Sequence, residues 1–131
     1  MATELSFVLE DRPGGIARIA ETLGNVEINI EGIAGLGMRG DGMVRLVVNN
    51  AEPAEAALRN AGVQFTRREV LLLNLANKPG ELARLTRALA DAGVNLTSFY
   101  LTMNGRQVLG TENAELAREV LANLGTNAVL V

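Results

Sequence analysis

Two patterns of apolar residues alternate along the chain. Short continuous apolar runs predict buried strands, and apolar residues that recur every three or four positions predict helices with one apolar face. In order, the elements are strand, helix, strand, strand, helix, strand, and the same series then occurs again. The predicted strands are 5–9, 28–36, 43–48 and 64–69 in the first series, and 70–75, 94–102, 107–110 and 128–131 in the second.

The two series are copies of one unit. Residues 11–14, Asp-Arg-Pro-Gly, match residues 77–80, Asn-Lys-Pro-Gly, 66 positions later. Residues 50–62 match residues 113–125 at an offset of 63, so the second copy lacks three residues in between. The pair Asn104-Gly105 predicts a two-residue hairpin turn, and we expect the three residues to be missing from that tighter turn.

This order of elements predicts an α+β protein made of two tandem ferredoxin-like βαββαβ units. Each unit is expected to place two helices on one face of an antiparallel four-stranded sheet. The predicted domains are residues 1–69 and 70–131. A unit of about 65 residues buries only about 60% of its unfolded surface, so further packing is expected and a homodimer is predicted.

Composition excludes several kinds of chemistry. The chain has no Cys and no His, which removes thiolate nucleophiles, imidazole bases and the commonest zinc ligands. Its net charge is −3, without a basic run, so nucleic acid is not an expected partner. The acidic residues are scattered rather than paired for acid–base work. We predict no enzymatic activity, no metal site and no cofactor.

The location predicted from the sequence is cytoplasmic. Residues 3–6 have neither the basic start nor the apolar run of a signal peptide. No stretch approaches 18 apolar residues, so the sequence predicts no membrane helix.

Residues 35–40 match the dinucleotide-binding pattern G-x-G-x-x-G. That site needs a helix directly after the glycines, whereas Met43–Val48 reads as a strand. We therefore interpret these glycines as positions where another backbone or a ligand approaches a strand closely.

The strand-to-helix turn is the main candidate for binding. Unpaired N–H groups and the helix dipole at a helix start attract an anion such as a carboxylate. Polar side chains before the turn and at the next strand could hold an ammonium group. The candidate ligand-binding residues are Asp11, Gly14, Gly15 and Asn29 in the first unit, and Asn77, Gly80, Glu81 and Asn95 in the second. The alternative is that Asp11 and Asn77 only cap helices, and that Asn29 and Asn95 only satisfy backbone groups.

These residues resemble the Asn/Asp-x-Pro-Gly … Gly-Val-Asn pattern of ACT domains, the regulatory modules of several amino-acid biosynthetic enzymes. The resemblance spans both units, although Glu27 stands in the first where glycine is expected. It implies that domains pair side by side and bind amino acids at their interface. Serine-binding members carry His two positions before the turn residue, where this chain has Leu9 and Leu75. Those leucines, with Ile33 and Phe99, favour an aliphatic ligand.

The resemblance implies an amino-acid-binding regulatory protein with a partner enzyme or transporter. Two alternatives remain: a regulatory subunit of an enzyme such as acetolactate synthase, and an oligomerisation module without ligand. The two sites are also expected to differ. Because Asp11 would repel a ligand carboxylate and Asn77 would not, the second site is predicted to bind more tightly.

Overall fold

The computed structural model describes residues 2–125 and 129–130. These residues form two compact units, one made of Thr3–Arg68 and one that begins at Glu69. Both contain helices packed on antiparallel strands, so the predicted α+β class and the βαββαβ repeat are confirmed.

The first unit contains four strands and two helices. They are β1 (Ala2–Glu10), α1 (Gly15–Gly24), β2 (Ile30–Met38), β3 (Asp41–Val48), α2 (Ala51–Asn60) and the start of β4 (Thr66–Asn74). The strand order is β2-β3-β1-β4, so β3 lies between β1 and β2 and is antiparallel to both. This places the carboxyl ends of β1 and β2 at the same end of the sheet.

The second unit repeats this arrangement with the remainder of β4 as its first strand. It continues with α3 (Glu81–Asp91), β5 (Leu96–Leu101), β6 (Gln107–Thr111), α4 (Ala114–Asn123) and β7 (Val129–Leu130), in the strand order β5-β6-β4-β7. The predicted break between strands 64–69 and 70–75 is wrong, because β4 runs through both. Of the predicted last strand, residues 128 and 131 lie outside the described residues.

Each unit has its own apolar core between helices and sheet. Side chains that alternate along the strands meet the helical positions spaced by three and four. The first core contains Leu5, Phe7, Ile19, Leu23, Ile28, Val44, Leu46, Val48, Ala54, Leu58 and Val63. The second contains Leu71, Leu73, Leu85, Leu89, Val94, Leu109, Ala117 and Leu121.

The three missing residues did not come from a tighter turn. The first hairpin turns through only Arg39 and Gly40, because Met38 pairs with Asp41. In the second hairpin the amide of Gly105 donates to the carbonyl of Thr102, so Met103 and Asn104 form the turn and Gly105 follows in a left-handed conformation. The predicted Asn104-Gly105 turn is therefore wrong. Strands β5 and β6 have 6 and 5 residues against 9 and 8 in β2 and β3, and these shorter strands more than account for the loss.

The helix ends show why the first unit departs from the repeat. After α3, Gly93 has a φ of 80° and the amide of Val94 donates to Leu89. After α1 the same position is Glu27, which has a φ of 60°. The C-cap residue Asn25 is right-handed, with a φ of −64°, and a side-chain-bearing residue, Glu27, adopts the left-handed conformation that glycine adopts most easily.

One polar contact is repeated in both units. The guanidinium of Arg18 donates to the carbonyl oxygen of Ala61 at 2.6 Å, and that of Arg84 donates to Leu124 at 2.8 Å. Each arginine thereby joins the first helix of its unit to the carboxyl end of the second helix, where carbonyls lack partners and the dipole favours a cation.

Exchanging the residues at the two helix ends tests this account. Glu27→Gly should raise the free energy of unfolding by about 0.5–1 kcal/mol, because it removes the left-handed strain of a residue with a Cβ. Gly93→Glu, the matched reverse change, should lower it by about 1–2 kcal/mol. No atom lies within 4 Å of an ideal Cβ on Gly93, so only backbone conformation is tested. Urea unfolding measures both, and a Glu27→Gly variant less stable than the wild type would contradict the strain.

Candidate functional site

The turn between first strand and first helix has the same backbone in both units. Gly14 caps α1 with a φ of 100°, and Gly80 caps α3 with a φ of 87°. Neither helix start has a side-chain cap hydrogen bond. The alternative that Asp11 and Asn77 cap these helices is therefore not supported, and the first turn of α1 can offer its N–H groups to an external acceptor. In α3 the amide of Glu81 already donates to the carbonyl oxygen of Lys78, at 3.4 Å.

Asp11 lies over the end of β2 in the first unit. Its amide donates to the carbonyl oxygen of Gly40 at 3.2 Å. Its two carboxylate oxygens each lie 3.3 Å from the place that a Cβ on Gly37 would occupy. The glycine therefore lets a side-chain carboxylate approach the strand, whereas the interpretation of the glycine-rich stretch expected another backbone or a ligand.

The other glycines of the stretch do not form a nucleotide site. Gly35 and Gly37 lie within β2, and Gly40 turns the chain with a φ of 77°. Strand β3 follows instead of a helix. The absence of a helix start removes the group that would bind a pyrophosphate.

A cavity of about 520 Å³ opens beside this turn. We call it the turn cavity. Asp11 and Gly15 contribute to its lining, so two of the predicted ligand-binding residues meet here. Leu9 and Ile33, the predicted apolar residues of the first unit, also line it.

Four further apolar residues line the turn cavity but were not predicted. Val44 is buried, and Ile16, Leu36 and Met43 are 49%, 66% and 37% exposed. Leu36 and Met43 are direct neighbours across β2 and β3. The sequence places both residues in strands, but it does not show that they are paired. The register of β2 and β3 shows that they are neighbours, and both line the cavity.

The second turn differs because its helix starts with a carboxylate. Glu81 is 7% exposed, and its oxygens lie 3.8 Å from Nζ of Lys78 and 3.4 Å from Nη2 of Arg84. The first unit has Gly15 in its place. An anionic side chain of the protein thus occupies the neighbourhood of the α3 start, while Asn77 and Gly80 are exposed.

Asn29 and Asn95 were predicted to bind a ligand together with the turn, but they do not lie beside the turns of their own units. The backbone amide of Asn29 donates to Oδ1 of Asn49, which follows β3. Asp11 lies over Gly37 near the opposite end of β2, and at about 3.3 Å per residue the two sites are roughly 25 Å apart. In the second unit, Leu96 pairs with Thr111, while Leu73, near the turn, pairs with Gln107 at the other end of β6.

The remaining predicted apolar residues, Leu75 and Phe99, are partly buried and pack against the second core. Among the described residues, no group of three or more acidic side chains could hold a metal ion. No helix in the described ranges is long and apolar enough to cross a bilayer.

A protein-family model described as an ACT domain pair matches residues 1–129. The chain belongs to the ACT domain pair family. Among curated protein sequences, none matches it.

Solved structures share the ACT pair fold. A protein from Bacteroides thetaiotaomicron is 24% identical, with a TM-score of 0.86, over 98% of this chain and 92% of that one. The ligand-free regulatory subunit of aspartate kinase from Thermus thermophilus is 20% identical, with a TM-score of 0.72, over 95% and 92%. The corresponding subunit from Thermus flavus is 19% identical, with a TM-score of 0.68, over 96% and 94%.

Substitutions at Gly14 test the turn geometry of the first ACT unit. Gly14→Ala should lower the free energy of unfolding by about 1–2 kcal/mol, because alanine is strained at positive φ. Gly14→Asn should cost less, since asparagine enters this region more readily. Gly24→Ala is the control, because no atom lies within 4 Å there either and φ is not in the left-handed region. Thermal unfolding that showed Gly14→Ala to be harmless would contradict the assigned turn.

Proposed function

We propose that this ACT pair binds a small amino acid at the turn cavity of its first unit and thereby regulates a partner enzyme or transporter. The observation that carries the proposal is the combination, in one cavity, of Asp11, an α1 start without a side-chain cap, and an apolar wall. These groups match the ammonium, the carboxylate and the side chain of an amino acid.

The proposed roles follow from charge and shape. The carboxylate of Asp11 attracts the ammonium group, and the first N–H groups of α1 donate to the ligand carboxylate, which the helix dipole also favours. Leu9, Ile16 and Ile33 contact the side chain, so an aliphatic amino acid fits better than a charged one. A volume of about 520 Å³ is within the usual range for small-molecule sites.

We propose the first unit as the tighter site, the reverse of the order expected from charge alone. Glu81 places a buried carboxylate at the start of α3, where it already contacts Lys78 and Arg84. A ligand carboxylate at this turn would therefore compete with a built-in carboxylate for the same cations and for the start of the helix. Gly15, the equivalent residue in the first unit, adds no charge.

A second copy of the chain completes the proposal. Because Asn29 and Asn95 lie away from the turns of their own units, they would reach a bound ligand from a different unit. We propose that this unit belongs to a second copy, so that the protein is a homodimer in which each copy presents its asparagine to the other. Two of the similar structures are regulatory subunits of aspartate kinase, and this supports a partner enzyme as the regulated target.

A melting screen tests the proposal directly. All twenty amino acids are added to the full chain at millimolar concentration. A ligand at 100 times its dissociation constant stabilises the folded state by about 2.7 kcal/mol, a shift of roughly 10 °C for a chain of this size. We expect one or a few aliphatic amino acids to give that shift. A flat screen, confirmed by calorimetry, would favour the oligomerisation module or a subunit without ligand.

The role of Asp11 is tested with a matched pair of variants. Asp11→Asn should weaken the binding of the amino acid found in the screen by about tenfold. A loss of about 1.4 kcal/mol of attraction between Asp11 and the ammonium group is enough for that change in affinity. Asp91→Asn is the control, since that exposed carboxylate pairs only with Arg87 on α3 among the described residues. Calorimetry compares the affinities, and equal weakening by both variants would rule out a specific role for Asp11.

A further inference from the structure

A second cavity of about 800 Å³ lies in the first unit, away from the α1 turn. It is bounded by β1, β3, the end of α2 and the segment that leads into β4. We call it the arginine cavity, because Arg45, Arg59 and Arg68 line it. None of its lining residues is acidic, although the chain as a whole has a net charge of −3. The cavity is therefore a local concentration of positive charge.

Arg59 is held in place by a ring rather than by a strong ion pair. Its guanidinium carbon lies 5.4 Å from the centroid of Phe65. Its carboxylate neighbour, Glu55, lies 3.7 Å away and is bound more closely by Arg67, at 3.2 Å. A guanidinium stacked on a ring still presents its N–H groups at the edge, where they can bind an anion in a fork.

Arg68 provides a second cation with no competing partner. Its side chain is exposed, and within residues 2–125 and 129–130 that side chain makes no hydrogen bond or ion pair. Arg45, by contrast, contacts the buried carboxylate of Glu4 at 3.8 Å. The positive charge without an acidic partner thus comes from Arg68, and Arg59 adds a charge whose partner, Glu55, lies closer to Arg67.

The rest of the arginine cavity combines apolar and aromatic residues with the polar residues Ser6, Gln64 and Thr66. Phe65 and Phe7 pack with ring centroids 6.4 Å apart and ring planes inclined at 55°, and Val63 and Met43 extend this apolar part of the lining. An inorganic ion would leave this surface in contact with water. A small molecule with an acidic group and an apolar body would cover it.

We propose that the arginine cavity binds a small organic anion, with its carboxylate or phosphate on Arg59 and Arg68 and its apolar body against Phe65. This is a ligand of a different class from the amino acid proposed for the turn cavity, and it does not depend on that site. The planar guanidinium of arginine binds two oxygens of either a carboxylate or a phosphate, so the acidic group is defined by its charge and by a pair of oxygens that can be bound together.

The test uses phenyl phosphate and benzoate as probes, with inorganic phosphate as the comparison. Calorimetry on the full chain should show the two organic anions binding at least about tenfold more tightly than inorganic phosphate, because only they bury apolar surface. Binding should weaken as salt is raised, since exposed charges are screened. Equal affinity for all three probes, or no binding at millimolar concentration, would overturn the proposal.

Two variants locate the binding. Arg59→Gln and Arg68→Gln should each lower the affinity for phenyl phosphate about tenfold. The control is Arg87→Gln on α3, an exposed arginine paired with Asp91 at 3.7 Å, which should leave affinity unchanged. Circular dichroism confirms that each variant is folded. Unchanged binding in both cavity variants would overturn the proposal.

Because Met43 lines both cavities, a further variant is needed to show which of the two cavities binds phenyl phosphate. Asp11→Asn should leave phenyl phosphate binding unchanged, whatever its effect on amino acids. Loss of phenyl phosphate binding in that variant would place the anion at the turn cavity and contradict the assignment.

Discussion

The left-handed glycine between first strand and first helix is the constraint on which each ACT unit depends. Gly14 and Gly80 allow the chain to reverse from a strand into a helix at the first helical residue. That sharp reversal lets the apolar stripe of the helix lie on the sheet, and it leaves the first N–H groups of the helix without a side-chain cap. Packing and the candidate binding chemistry therefore come from one backbone conformation.

Duplication preserved this geometry while its surroundings diverged. Both units keep the arginine that joins their two helices, through Arg18 and Arg84. They differ at the residue after the glycine, where Gly15 adds no charge and Glu81 adds a buried carboxylate. They also differ at a helix end, where Glu27 takes a conformation that Gly93 adopts freely. Two similar folds can therefore present unlike electrostatic environments to the same class of ligand.

Much of the fold follows from the sequence, because apolar spacing specifies which face of each element is buried. The class, the repeat and the helix positions were predicted in this way. Register was harder: the shorter β5 and β6 have the same apolar pattern whether residues are lost from the strands or from the turn. The site was predictable in part. Asp11 and Gly15 are close in the sequence and line the same cavity. The position of Asn29 depends instead on how the strands pair, and the local pattern of apolar residues does not specify that pairing. The sequence shows that Glu81 is acidic, but it does not show that its side chain is buried and paired with Arg84.

The most direct test of the central claim is a nuclear magnetic resonance titration of the full chain with the stabilising amino acid. Backbone amide signals report separately on the two helix starts. The account predicts that the amides of Gly15 and Ile16 shift first and saturate, while those of Glu81 and Leu82 shift only at higher ligand concentration or not at all. Saturating shifts at Glu81 and Leu82, with Gly15 and Ile16 unmoved, would contradict it.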